Sequence, residues 1–440
     1  MKPIFLACFL VCMSAAAMAQ APDFRRLDRF ISALDKRGLI NGSLVISQGE
    51  KLLYNRSAGF SVRDSNGIHK PDAGTVYRVG SVTKMFTAVM VFQLVEENAL
   101  RLEDTLSAFF PKLPNAAKIT IAQLLQHSSG LPDYTADPHF QEWMDRPQTH
   151  AQMLERIEGM APLYAPGGKP EYCNTNYLLL GYIVERVGEL DYSAALKQRI
   201  TDRLGLQHTY FGHPIDVARN EARSYKYNSG KWVRQKETDM GIHEGAGSVM
   251  STPGDLVLFM EGLYTGKLLR VQAVNEMMGM KDGYGKGLFP YDYGFIKGFG
   301  HNGRIEEFYS AVRYFPEKKL AIAYVTNGIL YPRNDIIDVA LKACFNDSFD
   351  IPFEGFKKPG KDSLLPYAGV YISPDLPFKV NCQVKDGRLL IEAAGKSMKA
   401  EPVSRNYFMD LVSGSFFVFD PGSGSLQVKE TDNVYNFRKE

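Results

Sequence analysis

Ser81-Val82-Thr83-Lys84 sets a hydroxyl and an amine one helical turn apart, and Met85-Phe86-Thr87-Ala88-Val89-Met90-Val91-Phe92-Gln93-Leu94-Val95 follows. That run is apolar almost all round, which predicts a helix held in a protein interior rather than on a surface. Residues three apart share a helix face, so Lys84 should lie beside Ser81 at the mouth of the buried helix. A lysine in the first turn opposes the positive end of the helix dipole, and activating the serine is one reason to keep it there. The competing reading makes Ser81 an ordinary N-cap with an unrelated lysine nearby. This is the only Ser-x-x-Lys in the chain, and it opens the most apolar long helix.

At 440 residues the chain is too long for one ordinary core and suggests two domains. An apolar content of 45% with 23% charged residues is that of a soluble globular protein. The formal net charge of +2, without a dense Lys/Arg tract, argues against a nucleic-acid partner. Residues 1–19 read as a secretory leader: Lys2 gives the charge, Ile4 to Val11 the apolar run, and Ala17-Met18-Ala19 a small-x-small cleavage site. Cleavage after Ala19 implies an exported protein, periplasmic or secreted. The alternative is an uncleaved anchor, for which the apolar run is short. No later segment reads as a membrane span. Cys173, Cys344 and Cys382 form no disulfide framework and no zinc-type spacing.

Helical periodicity covers Phe24 to Lys36. Two β-like runs, Gly42 to Ser47 and Lys51 to Asn55, meet at Gln48-Gly49 as a hairpin. Helices are expected from Ser81 to about Glu97, over Thr120 to His127, over Asn174 to Val187 with Asn174 or Thr175 as cap, and over Asp335 to Phe345. Strands are expected over Tyr291 to Ile296, Glu307 to Phe315 and Leu320 to Thr326. Strands at both ends with helices between imply an α+β fold, one antiparallel sheet covered by helices. Residues 349–363 read as a linker between a unit at 24–348 and a small all-β domain, barrel or sandwich, at 364–440. In the latter, period-two runs fall at Tyr367–Ile372, Phe378–Lys385, Arg388–Ala393, Tyr407–Leu411, Ser415–Phe419 and Leu426–Glu430.

Serine is a poor nucleophile until a base takes its proton, and Lys84 becomes one if burial lowers its pKa. Tyr172-Cys173-Asn174 is the only Tyr-x-Asn and begins a helix. Tyr172 is a candidate for passing the proton to the leaving group, and Asn174 for bonding Lys84 or a substrate amide. Packed aromatic and helix cap is the plainer reading of that pair. His301-Asn302-Gly303 is the third candidate. A glycine on a sheet edge admits a substrate backbone, and the N–H groups of Arg304 and Ser81 would form an oxyanion hole. His301 would add a hydrogen bond or partial positive charge. Asn-Gly is also a strong hairpin-turn signal, and Lys281-Asp282-Gly283 competes for the same role. His127, at a helix C-terminus, reads as structural.

Taken together these segments resemble the serine β-lactamase and penicillin-binding superfamily, on the branch of class C β-lactamases, D-alanyl-D-alanine peptidases and related esterases. Tyr77-Arg78-Val79-Gly80-Ser81-Val82-Thr83-Lys84 is similar to its nucleophile region. His127-Ser128-Ser129-Gly130-Leu131-Pro132-Asp133-Tyr134, Ala165-Pro166-Gly167 through Tyr172-Cys173-Asn174, and Gly245 to Leu256 resemble further segments in family order. The resemblance implies a β-lactamase-like αβα sandwich beside an all-helical part. It implies Ser81 as acyl-enzyme nucleophile, Lys84 and Tyr172 as proton-transfer partners, Asn174 as a supporting group, and His301 with Gly303 on the substrate-facing strand. No metal or organic cofactor is implied. Cys173 replaces the usual serine, and His301 stands where class C enzymes carry lysine, as in the D-alanyl-D-alanine peptidases. The expected substrate is a small amide or ester, first a D-Ala-D-Ala type peptide or peptidoglycan fragment. The alternatives are a carboxylesterase, a weak β-lactamase, or a non-catalytic peptidoglycan or penicillin sensor.

Overall fold

The structure, a computed structural model, describes residues 22–65, 67–355, 360–430 and 433–440. The leader expected at 1–19 and part of the expected linker lie outside the described residues. Six strands form the main sheet: β1 (Gly42–Gln48), β2 (Lys51–Ala58), β3 (Phe289–Pro290), β4 (Phe299–Ile305), β5 (Phe308–Phe315) and β6 (Leu320–Thr326). Their order is β3-β4-β5-β6-β1-β2, antiparallel throughout. The β1–β2 turn is Gly49-Glu50, both at positive φ, the mirror-image turn that suits the strands' twist.

The sheet is covered on both faces, so β6 is buried along its whole length and does not alternate with polar residues before Thr326. Ala321, Ala323 and Val325 face one core with α2 (Thr83–Glu96), α3 (Asn174–Gly188) and α4 (Pro253–Tyr264). Leu320, Ile322 and Tyr324 face a second core with α1 (Arg25–Asp35) and α5 (Arg333–Cys344). Every residue of α2 from Thr83 to Leu94 is buried, and Phe86 stacks on Phe259 of α4 at 3.9 Å. Among the described residues no helix is long and apolar enough to cross a membrane.

Eight further strands close into an antiparallel barrel: β7 (Gly369–Ile372), β8 (Val380–Lys385), β9 (Arg388–Ala393), β10 (Lys396–Ser404), β11 (Tyr407–Asp410), β12 (Phe416–Asp420), β13 (Ser425–Glu430) and β14 (Asn433–Lys439). Closure removes every free edge. Val403, Met409 and Phe416 turn outward from it into the second core, where Phe416 meets Tyr331 edge-on at 5.1 Å. Phe349 and Ile351, in the stretch expected to be linker, are buried as well. The Asp335 carboxylate of α5 accepts from the Lys429 ammonium and the Tyr407 hydroxyl. Phe416→Ala is expected to destabilise the protein by about 3–5 kcal/mol through the cavity it leaves. A denaturant midpoint equal to wild type would show that the barrel does not support the second core.

Tyr291 to Ile296 is no strand; it forms a turn closed by a Tyr293–Ile296 bridge, with Phe295 wholly exposed. Asn302-Gly303 is no hairpin turn but lies inside β4; the turn falls later, at Glu306-Glu307, because Ile305 pairs with Phe308.

Candidate active site

Ser81 sits in a single 3₁₀ turn, Gly80–Val82, leading into α2, and its side chain caps neither element. The N-cap reading of this serine therefore fails, leaving the hydroxyl free to face a cleft. Gly80 permits the turn because it holds φ +53 and has its Cα against the backbone of Arg304, where a Cβ would come within 2.7 Å. Three further ties hold this turn against β4 and β5. The Ser310 hydroxyl donates to Val79 O at 2.7 Å. Buried Arg78 pairs with Glu306 in the β4–β5 turn. A Cβ on Gly303 would lie 2.0 Å from Val79 O and 3.2 Å from Ser81 N, so only glycine allows this approach.

Lys84 is wholly buried, with Nζ 3.2 Å from Ser81 Oγ, 2.8 Å from Asn174 Oδ1 and 2.8 Å from Ala246 O. Burial pushes its pKa down to about 7, opposed by the nearby Asp133 carboxylate. A neutral amine has two N–H donors and one lone pair. Asn174 and Ala246 take the donors, and the lone pair is left for the Ser81 hydroxyl. The Asn174 amide is oriented from behind, since Asp133 Oδ2 accepts from its Nδ2 at 2.9 Å and from its backbone N–H at 2.8 Å. That turns Oδ1 toward Lys84. The N-cap position of α3 belongs to Cys173, whose side chain makes no cap, so Asn174 is not the cap expected from sequence.

The Tyr172 ring lies 4.8 Å from Lys84 Nζ. Burial raises its pKa well above the ordinary phenol value, with the neighbouring Ser81 hydroxyl opposing the rise. The two hydroxyls do not meet hydrogen-bond geometry, and among the described residues Tyr172 Oη has no partner. The phenol is therefore a protonated, uncommitted donor at neutral pH. His127 stacks on Tyr172 at 4.6 Å, and its Nδ1 accepts from the Cys173 N–H at 3.0 Å. Burial drives the His127 pKa far down, so it acts as a neutral wall behind Tyr172 rather than as a cation at a helix end.

His301 is also buried, with its pKa lowered to about 3 by desolvation. The partial positive charge expected of it is therefore absent at neutral pH. Nδ1 donates to Asn302 O, and among the described residues Nε2 has no partner. Arg304 supplies the cation at the rim: its side chain is half-exposed, lies 3.4 Å from Glu307, and borders both cavities that meet at Ser81. One cavity, about 820 Å³, is lined by Tyr172, Asn174, Phe140, Met144 and His243; the other, about 280 Å³, by Phe289, Tyr291, His301 and Arg333. Lys281-Asp282-Gly283 is a surface turn with Lys281 bonded to Gly167 O, outside either cavity.

All seven residues singled out from sequence, Ser81, Lys84, Tyr172, Asn174, His301, Gly303 and Arg304, thus surround one cleft. The sequence alone assigns Asp133 and Ala246 no role. Asp133 had one readable sign, an acid just before the Tyr134 turn, which it caps through Thr135 N–H. Ala246 acts through its carbonyl, which a side-chain reading does not see.

The Beta-lactamase family model matches residues 27–343. Teichoic acid D-alanine hydrolase of Staphylococcus aureus (strain MRSA252) is 26% identical over 276 residues, 62% of this chain and 66% of that relative. The match thus spans just under two thirds of the relative's length. D-amino acid amidase from Ochrobactrum anthropi SV3, complexed with L-phenylalanine amide, superimposes with a TM-score of 0.64 at 27% identity, over 73% of this chain and 98% of that one. The octameric penicillin-binding protein homologue from Pyrococcus abyssi shares the fold over 94% of this chain and 100% of its own, with a TM-score of 0.68 at 23% identity.

Proposed function

The chain belongs to the beta-lactamase family, and on that footing we propose that it is a serine hydrolase that acylates Ser81 with D-amino-acid amides or esters. The observation that carries the reading is the Lys84 amine, buried, poised near neutrality and 3.2 Å from Ser81 Oγ. Ser81 Oγ attacks the substrate carbonyl carbon while its proton passes to Lys84 Nζ. The oxyanion is held by the N–H groups of Ser81 and Arg304. Collapse expels the amine or alcohol, which takes its proton from Tyr172 Oη, and Lys84 restores that proton. Water then attacks the acyl-enzyme by the same route in reverse.

The names of the relatives, a D-alanine hydrolase and a D-amino acid amidase, support a D-configured acyl group. A D-Ala-D-Ala type peptide is the first substrate to try. Neutral His301 offers a β-lactam carboxylate no charge, which ranks β-lactam turnover lower. The intact set of Ser81, Lys84 and Tyr172 around one cleft weighs against a sensor that forms no acyl-enzyme. We read 24–348 as the hydrolase unit and 364–440 as its barrel appendage joined through 349–363, and residues 1–19 as a leader for export. D-alanine p-nitroanilide and methyl ester should be cleaved at least about tenfold faster than their L-counterparts, the scale of discrimination one misplaced methyl group supports. Equal or faster L-cleavage would overturn the substrate assignment.

Asp133→Asn tests the support behind the base. Removing a carboxylate that favours the ammonium lowers the Lys84 pKa further. The acid limb of kcat/KM should therefore move to lower pH, while kcat falls about tenfold or more as Asn174 loses its orientation. A limb that stays in place or moves upward would contradict this.

A further inference from the structure

The carbonyl of Gly303 and the N–H of Arg304 belong to one planar trans amide, so they point in opposite directions. Gly303 pairs with Ser310 of β5. Its carbonyl points to that side, because Arg333 Nη1 donates both to Gly303 O at 2.9 Å and to Ser310 O at 2.8 Å. The Arg304 N–H therefore points to the opposite edge of β4. Among the described residues no strand pairs with that edge beyond Gly300, since β3 pairs only with Phe299 and Gly300. The Gly80-Ser81 turn packs beside it, over Gly303 and the Arg304 backbone.

We propose that Arg333 is a positioning residue for the oxyanion hole, acting through the Gly303–Arg304 amide. A charged donor on the carbonyl draws electron density across the amide and makes the N–H on the far side a stronger donor. Arg333 is buried, 3% exposed, where such polarisation is poorly screened. It also fixes the amide plane, because one nitrogen spans the two register partners. The effect grows as negative charge develops on the substrate oxygen, so it belongs to the transition state more than to the bound substrate. The proposal deepens the acyl-enzyme reading and rests on it.

Three variants, Arg333→Met, Arg333→Gln and Arg333→Lys, test it against a neutral D-alanine ester and a D-alanine boronic acid, whose tetrahedral boronate mimics the intermediate. Arg333→Met should lower kcat about tenfold, a fraction of the 10²–10³ that a whole oxyanion donor is worth, with KM little changed. Boronate affinity should fall by the same factor. The carbonyl stretch of the acyl-Ser81 ester should move to higher frequency, reporting weaker hydrogen bonding, and Arg333→Lys should recover part of each change. Where the methionine variant does not fold, the glutamine and lysine variants give the same readouts. An unchanged carbonyl band and boronate affinity, or a loss confined to substrates bearing a carboxylate, would overturn the proposal. Absence of any adduct on Ser81 in the wild type would instead remove the acyl-enzyme reading itself.

Discussion

Lys84→Met should lower kcat/KM by about 10²–10⁴-fold, the range that a positioned base supplies. Lys84→Arg should do no better, since a guanidinium keeps its proton at any working pH. The wild type should show why. With the amine poised at about 7, the active neutral form grows as pH rises. kcat/KM should therefore climb about tenfold per pH unit below 7 and flatten above it. His243 and His301 titrate at about 3 and stay out of that window. Glu244 does not, because burial pushes its carboxyl up to about 7. Glu244→Gln is the control that separates the two groups, and the acid limb should survive it. Activity retained in Lys84→Arg would contradict the role given to Lys84.

Gly303→Ala carries the second large effect. Its methyl group would sit 2.0 Å from Val79 O and 2.3 Å from the Ser310 hydroxyl, distances no Cβ sustains. Either β4 or the Val79–Ser81 turn must retreat, and the two amides of the oxyanion hole separate. The expected loss in kcat is about 10²–10³-fold, as for removal of one donor. Strain should also cost about 1–3 kcal/mol of stability. A rate within twofold of wild type would mean that the Arg304 amide does not face the reacting carbonyl.

How much of this was legible in the sequence follows from where each residue's information lies. The buried helix from Thr83 to Leu94 was readable because an all-round apolar run has few other homes. The β1–β2 hairpin and β6 were readable from turn chemistry and β-branched content. Strands β10 and β14 were not: Lys396–Ser404 carries three charges, two serines and Pro402. It is a strand because both neighbours pair with it along its length. Asn302-Gly303 carried a genuine turn signal, overruled by the register of β4 on β5. The candidate site residues are legible from type, spacing and family resemblance, but their states are not. His301 and His127 are neutral because of what buries them, and burial is a tertiary fact. Asp133 and Arg333 act through an amide side chain and a peptide group respectively, and no motif of side chains marks either.

The claim on which the rest depends is that Ser81 becomes acylated. Intact-mass analysis of the protein after brief incubation with a D-alanine ester, or with a fluorophosphonate as a general serine trap, measures it directly. One adduct per chain is expected, located on the peptide containing Ser81 and absent from Ser81→Ala. Labelling of both proteins alike, or of neither, would contradict it.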